Sequence, residues 1–233
     1  MLTYLGSNIR HFRLRQGFSS DTFAEKLGIS SESLDQYEAG SRDPDLRLVL
    51  ALADTLGISL DQLLRRAAGP VPEARDIRLL LLDVDGTLTD GGMYYSENGD
   101  AIKRFHAHDG LAIHRAITRY GLEVGLISAG HTEALVRRRA EVLGIRHVYC
   151  GQRPKVSVAT EWLQHLGLSW SQTAYIGDDL NDLPIMREVA LAACPADAAP
   201  QVRAAVRWVL ARAGGHGCVR EFIEETLGLD LTH

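Results

Sequence analysis

The segment Ile77-Arg78-Leu79-Leu80-Leu81-Leu82-Asp83 constrains this chain more than any other. Near-continuous aliphatic side chains cannot alternate between core and water. A strand of this composition is therefore covered on both faces, as in a parallel sheet sandwiched by helices. Two further strands are expected at Val124-Gly125-Leu126-Ile127 and Thr173-Ala174-Tyr175-Ile176-Gly177, with amphipathic helical stretches between them. That alternation predicts an α/β class over residues 77–233, with a parallel sheet and helices on both faces.

The first 65 residues follow a different pattern. About five short helices are expected, with no strand. Ile9, Phe12 and Leu14 lie on the first, and Ser19-Ser20 cap a second that carries Phe23, Ala24 and Leu27. Gly28 ends that helix. Ser30 or Ser31 caps a third, from Glu32 to Glu38, with Leu34 and Tyr37 inward; Leu46 to Leu56 and Leu60 to Leu64 supply two more. A helix, a tight turn and a second helix form a helix-turn-helix. Residues 66–76, with Gly69, Pro70 and Pro72, read as a linker between the two domains.

Composition narrows the function. Of 233 residues 45% are apolar and 24% charged, which supports folded domains rather than disorder. The net charge of −5 excludes a generally basic nucleic-acid coat and gives no reason to expect a membrane-surface partner. No apolar run approaches the ~20 residues of a membrane span, and the start Met1-Leu2-Thr3-Tyr4 lacks the pattern of a signal peptide. Cys150, Cys194 and Cys218 are odd in number and far apart, so free thiols and a cytoplasmic location are expected.

The chemistry gathers at strand ends. The first strand of the α/β region runs into Asp83-Val84-Asp85-Gly86-Thr87, and that at 173–177 runs into Asp178-Asp179-Leu180-Asn181-Asp182. Residues two apart on a strand share a face, so Asp83 and Asp85 share one site if extended geometry persists. A parallel sheet binds its ligands beyond the carboxyl ends of its strands. Five clustered carboxylates repel one another, and a hard cation such as Mg2+ resolves the repulsion. Ser128, at the end of the strand between them, and Lys155, near a helix start, supply a hydroxyl and an ammonium for phosphoryl oxygens.

Two resemblances follow from these residues. Phe23-Ala24-Glu25-Lys26-Leu27-Gly28-Ile29-Ser30, Tyr37-Glu38-Ala39-Gly40-Ser41-Arg42-Asp43-Pro44 and Leu52-Ala53-Asp54-Thr55-Leu56-Gly57-Ile58-Ser59 resemble the Cro/C1-type (XRE) helix-turn-helix family. DNA is therefore a candidate partner. Against it, the third helix carries Glu32, Asp35 and Glu38 and no Lys or Arg. Residues 1–65 hold seven basic and nine acidic side chains, a net of −2. Arg13, Arg15 and Arg42 remain as phosphate contacts. The alternative is a domain that docks, oligomerises or orients an enzyme.

The ordered set Asp83, Asp85, Ser128, Lys155, Asp178 resembles the haloacid-dehalogenase (HAD) phosphohydrolases, whose fold is Rossmann-like. The resemblance implies Asp83 as nucleophile, forming an aspartyl-phosphate, and Asp85 as general acid and then base. It implies Mg2+ held by Asp83, the Asp85 backbone carbonyl and Asp178, with Asp179 and Asp182 as support. Ser128 and Lys155 would bind the phosphoryl group.

A short hairpin is expected from Met93 to Phe105, turning at Asn98-Gly99. With the Gly214-Gly215-His216-Gly217-Cys218-Val219-Arg220-Glu221 tail, it resembles the capless HAD subgroup of the 3-deoxy-D-manno-octulosonate 8-phosphate phosphatases. That resemblance implies a homotetramer, a sugar-acid phosphate substrate and Arg220 as a carboxylate partner. His108 and His131 stand where that subgroup usually has arginines, and they are the remaining candidate substrate contacts. A subunit of a phenylphosphate carboxylase-type assembly, or a regulator whose HAD domain senses a ligand, are the alternative functions.

Overall fold

The computed structural model describes residues 4–58, 60–64, 72–97, 99–130 and 133–232. The chain divides into two compact units, Met1–Gly69 and Pro70–His233.

Among its described residues the first unit is all helical: α1 (Leu5–Arg15), α2 (Ser20–Leu27), α3 (Ser31–Glu38), α4 (Leu46–Leu56) and α5 (Leu60–Leu64). Ser19, Ser30 and Asp45 cap α2, α3 and α4 by accepting the amides of Thr22, Ser33 and Leu48. Of the two candidate caps for α3, Ser30 is the one used. Gly28 and Gly57 end α2 and α4 in the left-handed region, which glycine enters without steric cost. Ile9, Phe23, Leu34, Tyr37, Leu52 and Leu56 form the core, whereas Leu14 faces solvent.

The second unit is a six-stranded parallel sheet with a separate hairpin. Its elements are β1 (Leu79–Leu82), β2 (Tyr94–Ser96), β3 (Gly99–Ile102), α6 (Ala107–Tyr120), β4 (Glu123–Ser128), α7 (Glu133–Leu143) and β5 (His147–Cys150). There follow α8 (Lys155–Leu166), β6 (Thr173–Ile176), α9 (Leu183–Met186), β7 (Leu191–Cys194), α10 (Pro200–Ala205), β8 (Trp208–Val209) and α11 (Cys218–Glu221). The strand order is β5-β4-β1-β6-β7-β8. β1 is central, and each of its four leucines is 0% exposed, as the unbroken aliphatic run requires. Each such burial is worth ~2 kcal/mol of transfer free energy. Register pairs Leu82 with Leu126 of β4 and Ile176 of β6, so the ends of these three strands lie side by side.

The expected linker is narrower than 66–76. Pro72–Asp76 forms a helical turn whose Ala74 is buried, beside the buried Ile77, so these residues are part of the second unit. Residues 66–71 lie outside the described residues, as does Asn98 of the expected hairpin turn. β2 and β3 nevertheless pair antiparallel as the hairpin predicts.

Candidate active site

Asp83 follows β1, Ser128 ends β4, and Asp178 lies two residues beyond β6. Adjacent strand ends thus bring together residues separated by up to 95 positions. They line a cavity of about 430 Å3, with Asp85, Gly86, Gly91, Met93, Ala129, Gly130, Asp179 and Asn181 completing its wall.

Extended geometry does not persist past Asp83. The chain turns over Val84–Leu88, with Gly86 at φ +92°. Asp85 still reaches the cavity because the turn, rather than strand alternation, aims it there. A side chain at Gly86 would overlap the Asp178 carboxylate, so this glycine lets the loop after β1 approach the loop after β6.

Beneath the cavity is a buried ionic cluster. Lys155, the first residue of α8, donates to an Asp83 oxygen, to Asp182 Oδ1 at 2.5 Å and to the Tyr175 hydroxyl at 3.1 Å. Tyr175 in turn donates to Asp182 Oδ1 at 2.5 Å. The second Asp182 oxygen accepts the amides of Asp178 and Asp179 at 2.9 and 3.1 Å. Asp182 is 0% exposed and both its oxygens are occupied, so it is a scaffold for the loop. Asp179 lines the cavity while its Oδ1 accepts the Leu180 amide.

Charge in this cluster is not balanced. Burial pushes Asp83 up to about 8, against the pull of Lys155 and with help from Asp182 and Asp178. Burial and then Asp182 push Asp178 up to about 7, opposed by the Thr87 hydroxyl that donates to it at 3.1 Å. Burial lowers Lys155, but Asp83 and Asp182 together raise it further, so it stays an ammonium. Asp83, Asp178 and Asp182 each bring an oxygen to within 4.8 Å of the others, and with both Asp182 oxygens already accepting hydrogen bonds, Asp83 and Asp178 are the two that face a cation. An all-carboxylate set with surplus negative charge suits a hard, oxygen-seeking divalent cation.

Asp85 has partners that the sequence did not show. Lys103, just after β3, is almost buried and donates to Asp85 Oδ1 at 2.6 Å, while the Ser128 hydroxyl reaches Oδ2 at 3.4 Å. Arg104 pairs with Asp90 at 2.7 Å, and Thr89 bridges Phe105, so the hairpin is rooted in the catalytic loop. A cation near the end of the expected hairpin was the available signal for Lys103.

The expected substrate contacts lie elsewhere. The Arg220 guanidinium is engaged by Glu224 at 3.0 and 2.8 Å and is not among the cavity residues. His108 is exposed and packs edge-on against His106, also away from the cavity wall. His131 lies outside the described residues. In the helical unit the expectation for Arg13 is corrected. It is 6% exposed and grips Glu38 at 2.6 and 2.8 Å, with a third bond to the Phe18 carbonyl, so it has no face for a phosphate.

Comparison with known proteins decides the family. Residues 9–63 match the helix-turn-helix family model, and residues 146–222 match that of the haloacid dehalogenase-like hydrolases. The chain is 41% identical over 155 residues to the 3-deoxy-D-manno-octulosonate 8-phosphate phosphatase of Escherichia coli (strain K12), covering 66% of this chain and 81% of the relative. This chain belongs to that phosphatase family. The Salmonella typhi member is 42% identical over 149 residues, covering 64% and 78% of the two chains. Among solved members, the Moraxella catarrhalis phosphatase in complex with magnesium, phosphate and KDO matches with a TM-score of 0.62 and 37% identity, covering 65% of this chain and 86% of that one. The cobalt-bound Haemophilus influenzae phosphatase gives 0.62, 37%, 65% and 88%. The second unit is thus a haloacid dehalogenase-type phosphatase, and of these two solved relatives one is bound to cobalt and the other to magnesium. No helix among the described residues is long and apolar enough to cross a membrane.

Proposed function

We propose that this chain is a cytoplasmic, Mg2+-dependent phosphatase of 3-deoxy-D-manno-octulosonate 8-phosphate or a closely similar sugar-acid phosphate. The observation that carries this reading is the convergence of Asp83, Asp85, Ser128 and Asp178 on one cavity, with Lys155 buried against Asp83. The reading rests further on the 41% identity to the octulosonate phosphatase.

Each residue has a role set by its position. The Asp83 oxygen not held by Lys155 attacks phosphorus, the ester P–O bond breaks, and Asp85 protonates the leaving alcohol. Asp85 then takes a proton from water, which attacks the aspartyl-phosphate, releases inorganic phosphate and restores Asp83. Ser128 steadies the phosphoryl oxygens, and the Gly130 amide, donating to Ser128 Oγ at 2.9 Å, fixes that hydroxyl. The phosphoryl contact expected of Lys155 is corrected: its three N–H bonds go to Asp83, Asp182 and Tyr175 beneath the cavity, so it acts by holding Asp83. Asp83, the Asp85 backbone carbonyl and Asp178 would hold Mg2+, which supplies positive charge against the phosphoryl group. Asp182 keeps Asp178 in place by accepting its amide, while Asp179 supports the loop by accepting the Leu180 amide. Lys103 orients Asp85 and places positive charge beside it.

The cavity is open, and Met93, Tyr94 and Ile102 of the hairpin region are 56%, 52% and 60% exposed. We read this apolar hairpin as the contact of a homotetramer, in which His108, His131 and Arg220 serve the carboxylate end of the substrate. The helical unit is read as a docking or orienting module, because α3 turns Glu32 and Asp35 to solvent and Arg13 is committed to Glu38.

Phosphate release from a panel of octulosonate, nine-carbon sugar-acid and aryl phosphates, with Mg2+ and with chelator, tests the function. The highest kcat/KM is expected on a sugar-acid phosphate, and no release with Mg2+ from any member would end the reading. Light scattering tests the assembly, since an active monomer would refute the tetramer. A random-sequence DNA selection that returned a defined site would overturn the docking role.

A further inference from the structure

The loop after β1 is gripped from a direction that the mechanism leaves unused. The Thr87 carbonyl accepts the Gly215 amide at 2.9 Å and the Cys218 thiol at 3.4 Å. A Cβ at Gly214 would collide with the Gly86 carbonyl, and one at Gly215 with the Thr89–Asp90 backbone. The tail residues 214–218 therefore lie as a strap directly on the backbone of the catalytic loop. Thr87 then turns its hydroxyl to Asp178 Oδ1 at 3.1 Å.

The strap has its own anchor. Asp109, in the first turn of α6, is 1% exposed. Its Oδ2 accepts the Gly217 amide at 3.2 Å and its Oδ1 accepts the Arg220 amide at 2.8 Å. These bonds span 108 and 111 positions of sequence. The two amides open α11, so a single carboxylate fixes where that helix begins and hence where the strap lies. His106 Nδ1 stands 3.9 Å from the same carboxylate. A buried acid with two backbone donors on separate oxygens is a rigid joint, because a carboxylate is all acceptor.

We propose that Asp109 is a positioning residue for the metal-side carboxylate: it anchors the strap, the strap fixes Thr87, and Thr87 orients Asp178. This inference rests on the reading of Asp178 as a metal-holding group. It adds a residue outside the cavity wall to what sets metal affinity. Asparagine at 109 keeps the shape but turns an NH2 group toward a backbone N–H, so one joint is lost.

Calorimetric titration of Mg2+ alone into the metal-free full-length chain tests this. Asp109→Asn is expected to weaken Mg2+ binding at least tenfold. Phosphate release at saturating Mg2+ is expected to stay within about threefold of the parent. Val136→Ala, a substitution of a buried α7 residue, controls for lost stability and should lower the melting temperature with Mg2+ affinity unchanged. Thr87→Val removes the hydroxyl that ends the relay, so its effect and that of Asp109→Asn should be strongly non-additive. If Asp109→Asn does not fold, Asp109→Ser, whose shorter side chain accepts at most one of the two amides, is likewise expected to weaken Mg2+ binding at least tenfold. Binding within twofold of the parent in the folded Asp109 variant, or full additivity with Thr87→Val, would overturn the proposal. If Mg2+ binding shows this coupling while no substrate is hydrolysed, the proposed function fails and the relay stands.

Discussion

Each unit of this protein buries an ion pair, and the two pairs differ in how their charge is closed. In the helical unit Arg13 meets Glu38 one to one, in bidentate geometry, with a third N–H on a backbone carbonyl. Each charge meets its counter-charge, and the pair joins α1 to α3 as framework. In the phosphatase unit a single ammonium, Lys155, serves both Asp83 and Asp182, while Asp178 stands close by. There the carboxylates outnumber the cations, and two are pushed toward neutral pH. A buried pair that closes its charge is structural. A cluster that leaves charge open invites a cation and a phosphoryl group.

That contrast has measurable consequences. Asp83→Asn is expected to cut phosphate release by more than ~10³-fold, the scale of an essential nucleophile. Because it removes one of several repelling carboxylates, the metal-free melting temperature should hold or rise. Activity within tenfold of the parent would remove Asp83 from its role. Gly86→Ala forces a side chain into the Asp178 carboxylate at φ +92°, and a loss of ~10²-fold in kcat/KM is expected from misplacement alone.

The closed pair should respond in stability rather than in chemistry. Arg13→Met leaves Glu38 buried without a partner and should destabilise the helical unit by about 3 kcal/mol, read from its denaturant unfolding. A change under about 0.5 kcal/mol would show that the pair is not framework.

The smallest effect concerns pH. Asp83 and Asp178 bind protons more tightly when folded than unfolded, at about 8 and about 7. Their contribution to stability is therefore full below the unfolded carboxylate range near ~4 and is lost as pH rises through 7 to 8. In chelator the phosphatase unit should melt a few degrees lower at pH 8.5 than at pH 6, and added Mg2+ should restore it more at pH 8.5. A metal-free melting temperature that rises over this interval would contradict an open-charge cluster.

Much of this was legible in the residues. The aliphatic run before Asp83 pointed to a covered parallel strand, because a run this short, closed by Asp-Gly turn residues, suits a strand buried on both faces better than a buried helix. Asp85, Ser128, Lys155 and Asp178 were legible because each sits at a strand end or helix start, where the topology delivers side chains to one edge. The change at Pro70–Pro72 marked the seam, and the serine and glycine signals marked the ends of α2 and α3.

Other features depended on tertiary contacts. Lys103 reaches Asp85 only because the hairpin folds back over its own loop, and Asp109 meets residues 217 and 220 only after the sheet is complete. Arg13 looked like a phosphate contact because a sequence shows charge but not burial. Arg220, expected to meet a substrate carboxylate, pairs within this chain with Glu224, one helical turn away, a contact that only the folded tail shows. The sequence alone thus determined which elements form and which ends carry acids, since periodicity, capping and turn chemistry are local. Only the tertiary structure decided which charges are closed by a partner and which are left open, because that depends on distances between residues far apart in the chain and on the water excluded around them.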